Sequence, residues 1–240
     1  MIGYLRNIIP YSAVDGPGNR TVVFLQGCNL NCLYCHNPET IQIASMTNLI
    51  EHVQAVTVEE LCEMLRPYYD FTSGITFSGG ECTLQSEFLM AVCHQLKAEN
   101  RHILIDTNAY ANVETITQLI PLVSGFMVDV KAYDDLDHIK LTGKSNQIVL
   151  KNLATIAAAE KLYEVRTVIV SELLSNEVTV KAVSEFLASK SPRARYKLIK
   201  YRPHGVRSEY TNQMKSPEAA YMGKLFKLAK DNGAKDIILV

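Results

Sequence analysis

No apolar run in the sequence approaches the roughly 20 residues that a membrane-crossing helix needs. No excess of one charge is present either: 24 basic against 25 acidic residues leave a formal net charge of −1. Neither sign gathers into a block, which argues against a nucleic-acid or membrane-surface binder. The opening stretch MIGYLRNIIPYSAVDGPG has no charged region followed by a long apolar one, so it does not read as a signal peptide. No linker rich in serine, proline or glycine divides the chain. Cysteines are few, six in 240 residues, and three of them crowd into one short stretch rather than spreading as a disulfide framework would. The cytoplasm is the expected compartment. With 48% hydrophobic and 20% charged residues, the composition is that of a globular chain.

What is present is an alternation of two patterns. Residues 21–27 (TVVFLQG), 74–80 (GITFSGG), 102–108 (HILIDTN), 125–131 (GFMVDVK), 163–170 (YEVRTVIV) and 195–201 (RYKLIKY) are short apolar runs, the signature of parallel strands covered on both faces. Between them lie helical stripes. Thr57 and Glu60 form a capping box ahead of Leu61 and Leu65, and Asn232-Gly233 stops a last helix carrying Met222, Leu225 and Phe226. The final IILV is expected to add a short strand. Six βα units in succession predict an α/β fold, a partial (β/α)6 barrel of the TIM type, in a single domain spanning residues 1–240. In such a fold the C-terminal strand ends share one rim. Cys28, Gly79-Gly80-Glu81, Asp106, Asp129, Lys131 and His204 all follow or end strands and are expected there.

Cys28, Cys32 and Cys35 stand at C-x3-C-x2-C spacing, with His36 directly after them. Thiolates suit zinc or iron–sulfur clusters. Cys3His zinc is one possibility, although adjacent Cys35 and His36 diverge and close poorly on a single ion. The other is a [4Fe–4S] cluster that normally takes four cysteines and here finds three, leaving one iron open. Cys62 and Cys93 fall beside apolar helical stripes and read as core residues, and Cys82 lies just behind Gly80-Glu81.

The three-cysteine motif with Tyr34 before its last cysteine resembles the radical S-adenosylmethionine (SAM) superfamily. The longer run DGPGNRTVVFLQGCNLNCLYCHNPET, residues 15–40, resembles the signature of glycyl-radical enzyme activating enzymes. Gly16, Gly18, Arg20, Phe24, Gly27, the three cysteines, Tyr34 and Asn37 fall at the family's positions. TFSGGE, DTN, DVK and YRPH follow in the family's order across nearly the whole chain. Residues 36–78 hold only Cys62, so the short form, without a ferredoxin-like insert, is indicated.

The resemblance implies a radical SAM fold and a radical SAM activase. Cys28, Cys32 and Cys35 would hold a [4Fe–4S] cluster whose open iron chelates SAM. Reductive cleavage would then give a 5′-deoxyadenosyl radical, which takes hydrogen from a glycine of a partner enzyme, so no side chain serves as a general acid or base. Gly79, Gly80 and Glu81 would receive the methionine amine. Asp106 and Asp129 would hold a monovalent cation beside the SAM carboxylate, with backbone oxygens of Thr107 and Met127. Asp129, Val130 and Lys131, together with Arg166, would contact SAM, Arg166 having a nearby acid as its other natural partner. His204 would meet the adenosine end, and Tyr34 and His36 would flank the adenine. Asp15, Gly16, Pro17, Gly18 and Arg20 would receive the partner's glycine loop, the first twenty residues packing on the barrel to shape that rim. Reduced flavodoxin or ferredoxin would supply the electron. Asn19 departs from the aliphatic residue usual in the family, and Ala109 stands where glycine is usual. Two other readings are a radical SAM enzyme that modifies a small metabolite and a non-enzymatic zinc protein.

Overall fold

The computed structural model describes residues 1–48 and 50–240. The chain folds as two compact units, each assembled from separate stretches. The first comprises Met1–Asn29, Glu39–Thr107 and Ala111–Met127; the second comprises Leu30–Pro38, Asn108–Tyr110 and Val128–Val240.

In the first unit the strands are β1 (Ile2–Ser12), β2 (Arg20–Leu25), β3 (Gln54–Thr57), β4 (Gly74–Gly79), β5 (Ile103–Thr107) and the start of β6 (Gly125–Asp129), in the order β3-β1-β2-β4-β5-β6. β2, β4 and β5 run parallel, as their unbroken apolar character requires. β1 is antiparallel to both β2 and β3. Neither β1 nor β3 was foreseen. β1 is interrupted by Arg6 and Asn7, and its register against β2 shifts between Leu5 and Asn7 and again between Ile9 and Ser12, which hides its alternation. The helices are α1 (Val58–Leu65), α2 (Ser86–Ala98) and α3 (Val113–Leu119). α1 starts where the capping box places it, with the Thr57 side chain accepting from the Glu60 amide and Glu60 returning to the Thr57 amide. Leu61, Leu65, Leu89, Val92 and Leu96 are fully buried over the apolar strands.

In the second unit the end of β6 is followed by β7 (Leu162–Ile169), β8 (Arg195–Lys200) and β9 (Asp236–Leu239), in that order, with β7, β8 and β9 parallel. The C-terminal strand is thus present where IILV suggested it. Its helices are α4 (Asp135–Thr142), α5 (Gln147–Ala158), α6 (Asn176–Lys190), α7 (Ser208–Thr211) and α8 (Ala219–Asp231). Gly233 ends α8 in a left-handed conformation, φ 93°, which glycine adopts without a Cβ penalty.

Candidate cluster and SAM site

In the first unit, β2 delivers the chain to Gln26-Gly27-Cys28. The Gln26 amide, 2% exposed, donates from Nε2 to the carbonyls of Glu39 (2.9 Å) and Gln42 (2.8 Å). The Gly27 amide donates to the Thr40 carbonyl at 2.9 Å and the Cys28 amide to that of Ile41 at 3.0 Å. The strand that enters the cysteine loop is therefore stitched to the stretch that returns from it. Gln85 adds a second amide, donating to the carbonyls of Gln26 (3.0 Å) and Tyr4 (2.9 Å) and accepting from the Tyr4 amide (2.7 Å). Neither glutamine was singled out from the sequence. The available signal was a polar residue closing the buried run VVFLQG.

The Gly79-Gly80 turn is a close backbone approach. A Cβ on Gly79, whose φ is 123°, would lie 2.1 Å from the Leu25 carbonyl oxygen, and one on Gly80 would lie 2.3 Å from that of Gly27. Glu81 is 1% exposed, and its Oε1 accepts from the Thr83 amide (3.1 Å), the Thr83 hydroxyl (2.6 Å) and the Thr107 hydroxyl (2.7 Å). These bonds make Glu81 a support of the turn. Its carboxylate caps the 3-10 turn Cys82–Gln85 and ties it to the end of β5. Ser78 donates to the Asp106 carboxylate at 2.9 Å. The Cys82 thiol sits against the carbonyls of Phe77 (3.7 Å) and Asp106 (3.5 Å), and burial pushes it well above the ordinary thiol range, so it is an inert wedge beneath this corner.

The Asp15–Gly18 turn is anchored rather than loose. Ser12 donates to the Asp15 carboxylate at 2.5 Å, and Thr76 donates to the Asp15 carbonyl at 2.7 Å. Arg20 is corrected by the structure. It is fully buried and donates to Thr76 Oγ1 (2.7 Å), the Ile75 carbonyl (2.6 Å) and the His102 carbonyl (3.2 Å), so its guanidinium is not on a surface that a partner can touch. Placed at the first position of β2, its side chain folds beneath the turn, against Gly16. Asn19 donates from its side chain to the Phe71 carbonyl at 3.0 Å, which gives that departure a structural place.

In the second unit, Cys32 is buried and Cys35 is half-buried. The Cys35 amide turns back to the Cys32 carbonyl (3.2 Å), and the Arg207 guanidinium donates to the same oxygen (3.2 Å). Burial pushes the Cys32 thiol up, while Lys131 opposes the shift. Tyr34 is 5% exposed, its hydroxyl has no hydrogen-bond partner among the described residues, and the Lys131 ammonium lies 5.7 Å from its ring centroid. Lys131 pairs with Asp129 at 2.9 Å. Burial works against its charge, but Asp129, Tyr34 and Cys32 outweigh it and hold the ammonium well above the lysine range.

Val130 contributes backbone, its amide to the Arg166 carbonyl (2.9 Å) and its own carbonyl to the Thr167 hydroxyl (3.0 Å). Arg166, 8% exposed, has the nearby acid foreseen for it, donating from Nε to Glu164 at 2.6 Å, with Lys197 3.1 Å from the same oxygen. His36 and His204 are both exposed and neighbour each other. Burial lowers the His36 pKa, and His204 and Arg202 add to that, against a backbone hydrogen bond with Arg202. Ala109 is fully buried at φ 55°, the left-handed region that explains glycine's usual place there.

Three thiols, none bridged, within the eight residues from Cys28 to Cys35 are a soft donor set that fits an iron–sulfur cluster. The paired glycines leave a backbone cradle that any Cβ would fill, and the orphaned Tyr34 hydroxyl is a polar group awaiting a ligand. Residues 14–150 match a family model described as a 4Fe-4S single cluster domain. The chain is 33% identical over 214 residues to the pyruvate formate-lyase-activating enzyme of Staphylococcus epidermidis, covering 85% of this chain and 83% of that one. It is 29% identical to a putative glycyl-radical enzyme activating enzyme of Haemophilus influenzae, across 98% of this chain and 96% of the relative. Among solved structures, a domain of pyruvate-formate lyase-activating enzyme from Bacteroides vulgatus matches with a TM-score of 0.60 at 25% identity, covering 70% of this chain and 99% of that one. A single-cluster protein with a radical SAM partial barrel is the class thus defined. Within that class the chain belongs to the glycyl-radical enzyme activating enzymes. The matched family model is one whose domain holds a single [4Fe–4S] cluster.

Proposed function

We propose that the chain generates a glycyl radical on a partner enzyme, with Cys28, Cys32 and Cys35 as the cluster ligands. Among the described residues no three His, Cys, Asp or Glu side chains are gathered closely enough to hold a metal ion, so this ligand set rests on spacing and family. When bound, cluster and SAM supply one electron and the carbon radical that abstracts hydrogen.

The chain's own residues position and seal. Gly79 and Gly80 offer backbone to the methionine amine, while Glu81, fixed by Thr83 and Thr107, holds that turn in shape. Lys131 keeps its proton beside Asp129 and presents positive charge to the SAM carboxylate, with Arg166 adding to it. Asp106 and Asp129 take a monovalent cation, with Thr107 and Met127. Tyr34, His36 and His204 flank the adenosine. The turn from Asp15 to Gly18 shapes the rim that receives the partner's glycine loop, in a domain taken as residues 1–240. A reduced flavodoxin or ferredoxin in the cytoplasm is the electron source.

The observation that carries this reading is the loop of three unbridged thiols, one short of a cluster's four, followed by the glycine cradle. Reconstituted, reduced protein with SAM and pyruvate formate-lyase as the partner should give a glycyl-radical signal by electron paramagnetic resonance. SAM cleavage coupled to modification of a small molecule, with no protein radical, would move the assignment to a metabolite-modifying enzyme.

A further inference from the structure

β7 and β8 run parallel, with Glu164 opposite Arg195 and Arg166 opposite Lys197. Side chains alternate along a strand, so these four share one face of the sheet. Val165, Tyr196 and Leu198 point the other way and are fully buried. The charges of this strand pair up to Lys197 are therefore collected on a single side. β6 borders it, since the Val130 amide donates to the Arg166 carbonyl at 2.9 Å, which sets the Asp129–Lys131 pair on the neighbouring strand end.

Glu164 stands at the centre of the group and is 1% exposed. Its Oε1 accepts from Arg166 Nε at 2.6 Å and lies 3.1 Å from Lys197 Nζ. Its Oε2 has no hydrogen-bond partner among the described residues. Arg195 is 3.9 Å from that oxygen and is held more closely by Asp236, at 3.0 Å. One carboxylate oxygen thus serves two cations, and the carboxylate is turned to reach Arg166 through Nε. Stability alone is a weak reason for such a group, because apolar residues of similar volume often hold a buried position as well or better. Orientation is the stronger reason. An arginine is a planar fork, and a partner on Nε sets the plane in which the fork lies.

We propose that Glu164 is a positioning residue for SAM binding, fixing the Arg166 guanidinium through Nε so that its Nη groups are the donors turned to the ligand carboxylate. The proposal rests on the reading of Arg166 as a SAM contact, and it assigns to Glu164 and Lys197 roles that this reading does not contain. Lys197 acts one step further out. By sharing Oε1 it holds the Glu164 carboxylate in the rotamer that meets Nε. A long side chain ordered in advance need not be ordered by the ligand, and freezing one such chain is worth up to about tenfold in affinity. Glu164 touches no reacting atom and acts only through Arg166.

The test is equilibrium dialysis of SAM and of decarboxylated SAM against full-length reconstituted protein, left unreduced so that neither ligand is cleaved. Glu164→Leu/Lys197→Met removes the anion and one cation together, which fills the space and keeps the charge balance. It should bind SAM about tenfold more weakly than the wild type and decarboxylated SAM within about twofold of it. Glu164→Gln keeps an oxygen for Arg166 Nε, with its amide nitrogen at the place of the unpartnered Oε2, and should hold SAM within about threefold of the wild type. Glu164→Asp keeps the charge and the fold but withdraws the oxygen, and should lose about threefold for SAM alone, which preserves the test if the double variant does not fold. Equal losses of both ligands, as a purely structural role would give, overturn the proposal. So does unchanged SAM affinity in the double variant or in Glu164→Asp. Arg166→Met checks the reading beneath it. If that variant weakens both ligands equally, Arg166 does not meet the SAM carboxylate, and it is the reading of Arg166 that fails.

Discussion

Truncating Arg20 separates an internal strut from a partner contact. The side chain is fully buried, with donors to Thr76 Oγ1 at 2.7 Å, the Ile75 carbonyl at 2.6 Å and the His102 carbonyl at 3.2 Å. Arg20→Met keeps the apolar stem and removes the fork. Losing donors to buried acceptors costs about 1–3 kcal/mol each, and the effects do not add fully because they share one group. Thr76 also keeps its own bond to the Asp15 carbonyl. A total of about 4 kcal/mol follows, within the range seen when a buried charged partner is removed. For a chain of this length that lowers Tm by about 8–16 °C. Arg20→Lys, with one compact donor head in place of a planar fork, should lose about half as much. Urea titrations and thermal scans by circular dichroism under anaerobic conditions read both. A loss under about 1 kcal/mol, together with weakened partner affinity, would refute the buried role and restore this residue to the partner surface.

Three further outcomes follow from the same geometry. Cys32→Ala should abolish SAM cleavage and iron retention yet leave the far-ultraviolet spectrum of the folded protein; retained cleavage would show the ligand assignment to be wrong. Ala109→Gly, relieving a left-handed backbone at φ 55°, should raise stability by about 1 kcal/mol in urea titrations, with no change or a loss counting against strain there. His138 is 1% exposed, its Nδ1 lies 2.6 Å from the Lys144 carbonyl, its Nε2 has no partner among the described residues, and burial lowers its pKa from the ordinary histidine value. A lowered folded pKa means that its contribution is complete above the unfolded value and is lost as pH falls through the folded one. The Tm decline from about pH 7.5 to about pH 5.5 should therefore be steeper in the wild type than in His138→Asn, and parallel declines would show that His138 does not titrate with unfolding.

The parallel strands were readable because their runs are apolar on both faces, and the start of α1 was readable because Thr57 and Glu60 are adjacent in sequence to what they cap. α4 was not. Its stripe is inverted, with Leu136 and Ile139 outward and His138 and Thr142 inward, so hydrophobic periodicity pointed nowhere. The cysteines and the glycine pair were visible as chemistry at short spacing. The partners of Glu81 were not, because Thr83 and Thr107 are the kind of hydroxyl that the local backbone can satisfy unaided. Arg20 misled for a similar reason. DGPGNR looks like a solvated turn, and only the parallel pairing of β2 with β4 shows that its last residue lies under the strand.

The double amide clasp at Gln26 and Gln85 has an outcome for the life of the protein in air. Closing a flexible loop carries an entropy cost that grows with the logarithm of its length. Here the ring between Cys28 and Glu39 is closed by hydrogen bonds that involve no iron. Loss of the cluster to oxygen therefore leaves the base of that loop closed, so refilling it with iron and sulfide does not carry the closure cost again.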